Sequence, residues 1–61
     1  MNEILKRIEE LSASLLTDAN LQLTRGNKAA GARARKVSLE LERLLKDFRK
    51  ASLEEVKSRE A

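Results

Sequence analysis

The 61-residue sequence contains no cysteine, no histidine and no proline, and only two glycines. Without cysteine and histidine, the chain has no disulfides and lacks the usual zinc ligands, two supports on which very small domains often depend. A chain of this length buries only about 60% of the surface that its unfolded form exposes. We therefore expect self-association, most simply a homodimer, to supply further buried area.

The side chains that most catalytic sites need are missing as well. There is no histidine to act as a general base and no cysteine nucleophile. The glycine pair Gly26 and Gly31 lacks the Lys-Ser or Lys-Thr that completes a phosphate-binding loop. The carboxylates alternate with Lys and Arg in a pattern typical of solvated helix pairs, such as Glu42 with Lys46. We expect no enzyme, no catalytic residue, no cofactor, no metal site and no small-molecule substrate.

Long apolar segments are also absent. No run approaches the roughly 20 apolar residues that cross a bilayer. The first six residues have no continuous apolar stretch and no small-residue cleavage site, so they do not resemble a signal peptide. The sequence therefore predicts a cytoplasmic protein with no membrane partner.

The residues that dominate the chain (Leu, Ala, Glu, Lys and Arg) are strong helix formers. Residues from about 3 to 24 predict one amphipathic helix, with Asn2 as its N-cap. Its apolar stripe consists of Ile4, Ile8, Leu11, Leu15 and Ala19, and Leu5, Leu16 and Leu23 widen it. Leu21 falls off this stripe, which predicts that it is either exposed or in contact with another chain.

Arg25-Gly26-Asn27 is the strong break in the helical pattern. Gly is favoured just past a helix C-terminus because it adopts the left-handed conformation readily, and Asn27 is suited to cap a following helix. A turn this short predicts an antiparallel two-helix hairpin. The alternative is one long helix bent at Gly26.

The second helix is predicted from about residue 28 to about residue 59, within one domain that spans 1–61. Spacings of four and three alternate along its apolar positions, which are Ala30, Ala34, Val37, Leu41, Leu44, Phe48 and Ala51, with Leu45 and Val56 broadening the stripe. This helix is longer than the first, so its last turns either project beyond the hairpin or pack on a second molecule. The fold class is all-α, a hairpin that we expect to dimerise into a four-helix bundle or coiled-coil-like assembly.

Gly31 lies in a cluster of small residues at the start of this helix. A glycine within a helix costs about 1 kcal/mol relative to Ala. Two explanations for this glycine remain open. Another backbone, from a helix or from a nucleic-acid strand, approaches closely at this position, or the glycine is tolerated drift in the first turn of the helix.

The positive charge is concentrated in the second half of the chain. The net charge is +3, and the stretch from Lys28 to Lys36 holds four basic residues and no acidic one. At about 100° per residue, seven basic residues fall within an arc of about 100° opposite the apolar stripe. They are Lys28, Arg35, Lys36, Arg43, Lys46, Lys50 and Lys57. A line of cations on one helix face is suited to a phosphate backbone.

We expect duplex DNA to be bound with little sequence preference. No Asn or Gln lies on the basic arc to read base edges, and the one aromatic residue, Phe48, lies on the apolar stripe. The first candidates for DNA contact are Lys28, Arg33, Arg35 and Lys36, followed by Arg43, Lys46, Arg49 and Lys50. Arg33 and Arg49 lie off the main arc, so they either flank the groove or pair with carboxylates. The alternatives are an oligomerisation or protein-interaction module with an ordinary charged surface, and a basic amphipathic helix on anionic membranes.

One segment resembles a known family. Gly26-Asn27-Lys28-Ala29-Ala30, then Arg33, Arg35, Ser38, Leu41-Glu42, Lys46, Arg49-Lys50 and Ser52, is similar to the chlamydial-type bacterial histone-like (linker-histone-like) proteins. The match covers roughly residues 26–52, and residues 1–25 are similar in being an amphipathic helix. The resemblance implies a nucleoid-associated protein that binds and condenses DNA in bacterial chromatin. In the chlamydial members a long Lys-rich tail follows the helical part, and we expect this chain to be a short form without that tail.

Overall fold

The computed structural model describes residues 1–60, and these form two antiparallel α-helices with no strand. Helix α1 spans Asn2–Arg25 and helix α2 spans Lys28–Glu60. The hairpin is a rod with principal extents of 52 × 14 × 14 Å. The predicted all-α hairpin is confirmed, and the alternative of one long bent helix is wrong.

The turn forms as the sequence predicts. Gly26 is left-handed, with φ 64° and ψ 26°, and its N–H donates to the Gln22 carbonyl at 3.0 Å. Asn27 then caps α2, since its Oδ1 accepts a hydrogen bond from the Ala30 N–H at 3.0 Å. The other predicted cap is wrong: α1 already includes Asn2, and Met1 occupies the cap position without a side-chain hydrogen bond.

The core is thin because each helix has only one partner. Among the described residues the buried apolar side chains are Leu11, Ala30, Ala34 and Leu41. Val37, Leu44, Phe48 and Ala51 are half-buried, so all seven positions of the predicted α2 stripe face the packed side. We call these seven residues, with Ile4, Ile8, Leu11 and Leu15 of α1, the packed stripe.

The predicted stripe of α1 is partly wrong. Ala19 is exposed, whereas Asp18 and Leu21 are half-buried within the chain. The residues expected to widen the two stripes are exposed too, namely Leu5, Leu16, Leu23, Leu45 and Val56. The physical reason is that two helices 24 and 33 residues long cover only a narrow strip of each other. Apolar residues beside that strip stay in solvent.

Gly31 is buried beneath α1. A methyl group at this position would lie 2.5 Å from the Gln22 Cδ and 2.6 Å from its Oε1. A side chain of the neighbouring helix, rather than another backbone, therefore occupies the space that the glycine leaves.

The C-terminal part of α2 is solvent-exposed. Ala51 and Ser52 are still half-buried, but residues 53–59 are exposed. This stretch includes Leu53 and Val56, which are 64% and 50% exposed. The last turns thus extend from the packed part of the hairpin.

Candidate nucleic-acid interface

The basic side chains opposite the packed stripe form a continuous surface on α2. We call them the basic ridge: Lys28, Arg35, Lys36, Arg43, Lys46, Lys50 and Lys57, all of which are exposed. A rise of about 1.5 Å per residue gives the ridge a length of about 44 Å. The rigid helix, held by its opposite face, keeps these cations in line on one side of the molecule.

The ridge carries little negative charge, and Glu54 is the acidic residue at the edge of its arc. Among the described residues, none of its seven side chains makes an ion pair or a hydrogen bond. The i,i+4 pair expected between Glu42 and Lys46 does not form at ion-pair distance, so Lys46 keeps its charge unpaired. The ridge therefore presents a row of ammonium and guanidinium groups whose hydrogen-bond donors face solvent.

Arg33 has a different environment from the ridge residues. Its Nε and Nη2 donate to the two carboxylate oxygens of Asp18 on α1, at 3.3 and 3.2 Å. The Asp18 side chain is only 13% exposed, while that of Arg33 is 56% exposed. Pairing with a carboxylate, one of the two alternatives for this off-arc residue, is what the structure shows. Arg33 thus joins the two helices close to the turn.

Arg49 also lies off the ridge, but on the other side. It is exposed and has no ion-pair partner among the described residues. Its angular position is about 110° from the packed stripe, toward the side of the hairpin that carries Leu45. Six of the eight predicted contact residues therefore share the ridge, and Arg33 and Arg49 flank it on opposite sides.

Two leucines share the outer surface of α2 with the ridge, and the sequence analysis missed both. Leu39 is 62% exposed and Leu53 is 64% exposed. Leu39 lines a shallow depression with Glu42, Arg43 and Lys46. The heptad pattern carries the signal that finds them, because both residues lie opposite the packed stripe rather than on it.

A second ion pair joins the two helices farther from the turn. Arg7 Nη2 lies 3.0 Å from Glu40 Oε2, and Arg7 Nη1 lies 3.4 Å from Glu10 Oε2. The hydrogen bonds to Glu40, and then its negative charge, raise the pKa of Arg7 above its usual value. Arg7 of α1 therefore offsets the negative charge of Glu40, which lies beside the ridge.

Among the described side chains, those of residues 1–59, there is no cluster of His, Cys, Asp and Glu that would hold a metal ion. No buried side-chain nitrogen or oxygen in this part of the chain lacks a hydrogen-bond partner. Neither described helix combines the length and the hydrophobicity needed to cross a membrane.

A comparison with protein families identifies a family for this chain. The family model described as histone H1-like protein Hc1 matches residues 2–58, which include nearly all of α1 and most of α2. The match extends well beyond the motif residues of the second half. No curated protein and no solved structure matches the chain significantly.

Proposed function

This chain belongs to the histone H1-like protein Hc1 family, whose members are DNA-binding nucleoid proteins, and on that premise we propose that it binds duplex DNA through the basic ridge of α2. Family membership supports a role in the nucleoid, and it fits a protein that acts by binding DNA rather than by catalysis. The ridge is the part of the hairpin whose chemistry fits a polyanion.

The observation that carries the proposal is the row of seven exposed cations on one face of a rigid helix, none of which has an ion-pair partner among the described residues. One turn of B-DNA measures about 34–36 Å, so a ridge about 44 Å long matches the scale of one helical repeat. Cations in line along such a repeat contact phosphates, displace condensed counterions and make binding strongly dependent on salt.

The ridge favours binding without sequence preference. Phosphate contacts fix the position of a protein on the duplex but read no base. The ridge contains no Asn or Gln to pair with adenine edges. Phe48, the one aromatic side chain, is half-buried on the packed stripe, where it is not available to stack on a base.

Within this proposal the predicted contact residues have different weights. Lys28, Arg35, Lys36, Arg43, Lys46 and Lys50 lie on the ridge and contact phosphate oxygens directly. Arg33 shares its charge with Asp18, so it contributes less to DNA binding and more to the hairpin. Arg49 lies at the edge of the contact area. The proposed partners are DNA and a second copy of the chain in a homodimer.

The experiment is fluorescence anisotropy of a labelled random-sequence duplex, titrated with the protein across a salt series. The test variant removes three ridge cations as Lys36→Gln, Arg43→Gln and Lys50→Gln. Each lost phosphate contact makes the slope of log K against log salt shallower by about 0.9, so we expect a change of about 3 for each chain bound. Binding of the unmodified protein is expected to be equal on unrelated sequences.

The matched control removes three cations elsewhere, as Lys6→Gln, Arg25→Gln and Arg59→Gln, so both variants have the same net charge. We expect the control to retain most of the affinity and nearly the original slope, because these positions lie off the ridge. Equal losses in the two variants would mean that net charge rather than the ridge determines binding. Absence of binding by the unmodified protein at low salt would refute the function.

A further inference from the structure

The two flat sides of the hairpin differ in chemistry. Both ion pairs between the helices, Arg7 with Glu40 and Arg33 with Asp18, lie on one side of the packed stripe. Those pairs show how the two helices are aligned, and in this alignment the residues on the other side of each helix also come together. That second side contains no hydrogen bond or ion pair between the helices within residues 1–60.

The second side is apolar and nearly free of charge. We call it the flat apolar face: Leu5, Ser12, Leu16, Ala19 and Leu23 of α1, with Ser38, Leu45 and Val56 of α2. At about 100° per residue these positions lie roughly 60–120° to one side of the packed stripe, and Arg49 is the charged residue of that arc. Leu16 and Leu23 are 63% and 83% exposed. Exposed leucines in a contiguous patch, rather than scattered singly, are typical of an interaction surface.

The total exposed area is large enough for a further contact. The chain exposes 5140 Å², whereas the usual scaling for compact monomers gives about 4,000 Å² for a mass of 6.9 kDa. The excess of about 1,100 Å² is comparable to the roughly 800 Å² that each partner buries in a standard interface, and to half of a larger homodimer interface. One further hairpin, packed along this face, buries an area of that size.

We propose that the flat apolar face is the surface on which a second copy of this chain packs. The occupant is a second hairpin because the patch runs along the length of the rod, and a partner of the same length and the same apolar strip covers it from end to end. Ser12, Ala19 and Ser38 lie between the leucines, and such small residues let two helix pairs approach closely. The interface is isologous, since each copy contributes the same face.

This inference rests on the proposed function in one respect: packing through the flat apolar face determines whether one or two basic ridges bind DNA together. The basic ridge lies outside the flat apolar face, so packing leaves the ridge of each copy exposed. Two linked ridges bind with an effective concentration that one ridge lacks, so the pair binds more tightly without any new contact. Loss of the face therefore weakens DNA binding although no basic residue changes.

The test variant is Leu16→Gln with Leu45→Gln, one neutral substitution on each helix, and the control is Ala13→Gln with Asn20→Gln on the outer surface of α1. Sedimentation equilibrium is expected to show self-association weaker by on the order of tenfold or more in the test variant and unchanged in the control. Anisotropy is expected to show a lower apparent duplex affinity and a slope about half as steep, with binding retained at low salt. Unchanged self-association of the test variant would overturn the proposed interface. Failure of all three proteins, including the unmodified one, to bind duplex DNA would instead overturn the proposed function.

A second measurement does not depend on a disruptive substitution. The chain has no cysteine, so Ser38→Cys places a single thiol on the flat apolar face and Ala13→Cys places one outside it. We expect the thiol at position 38 to react with a maleimide several-fold more slowly at high protein concentration than after dilution, and the thiol at position 13 to react equally at both. A concentration-independent rate at position 38 in a protein that self-associates would assign the interface to another surface.

Discussion

The carboxamide of Gln22 lies over Gly31, so the end of one helix covers the start of the next. A Cβ at position 31 would lie 2.5 Å from the Gln22 Cδ and 2.8 Å from its Nε2. The obstacle is the end of a flexible side chain of an exposed residue, not backbone. No rigid neighbour therefore requires a glycine at position 31.

Gly31→Ala follows from this relationship. We expect the Gln22 side chain to rotate away and the higher helix propensity of Ala to stabilise the protein by about 0.5–1 kcal/mol. Urea denaturation followed by circular dichroism, at one fixed protein concentration, measures the change. If Gly31→Ala instead destabilised the protein by more than about 1 kcal/mol, and the double variant Gly31→Ala with Gln22→Ala restored the stability, the Gln22 side chain would be shown to be unable to move.

Leu41→Ala tests the packed stripe. Leu41 is 8% exposed and lies on the packed stripe, so we expect a loss of about 2–3 kcal/mol in the free energy of unfolding. Leu39→Ala is the matched control two residues away, since Leu39 is 62% exposed and its loss should stay below about 0.5 kcal/mol. Similar effects of the two substitutions in chemical denaturation would contradict the assignment of the packed side.

Asn27→Ala tests the turn. The substitution removes the acceptor of the Ala30 N–H, a hydrogen bond of 3.0 Å, and is expected to cost about 1 kcal/mol. Asn27→Asp keeps an acceptor oxygen at the same position and is expected to retain most of the stability. Thermal denaturation of the three proteins measures this, and an equal loss in both variants would assign the effect to something other than the cap.

Arg33→Gln and Arg35→Gln are expected to separate hairpin stability from DNA binding. Arg33 joins Asp18 across the turn, whereas Arg35 lies on the basic ridge without a partner among residues 1–60. Arg35→Gln should therefore reduce duplex affinity and make the salt slope shallower by about 0.9, with little change in stability. Arg33→Gln should change DNA binding less and lower the thermal midpoint more. If Arg33→Gln reduced the duplex affinity measured by anisotropy more than Arg35→Gln does, the DNA contact would have to be assigned to the ion-paired side of the hairpin rather than to the ridge.

The sequence by itself determined those features that are local. Gly26 and Asn27 fix the turn through their own backbone and side-chain preferences, and the alternating spacing of four and three from Ala30 to Ala51 fixes the packed side of α2. The position of the basic ridge follows from that side by helical geometry alone, which is why six of the eight candidate contact residues lie on it.

Only the tertiary structure decided how α1 meets α2. Helix α1 has two adjacent apolar strips, and the contact takes Ile4, Ile8, Leu11 and Leu15 while it leaves Leu16 and Leu23 in solvent. The choice depends on how the two helices align, as seen in the contact between Arg7 and Glu40, and no local pattern in the sequence contains that alignment. For the same reason Arg33 is drawn to Asp18, and Gln22 comes to cover Gly31, because each of these contacts exists only when two distant segments pack.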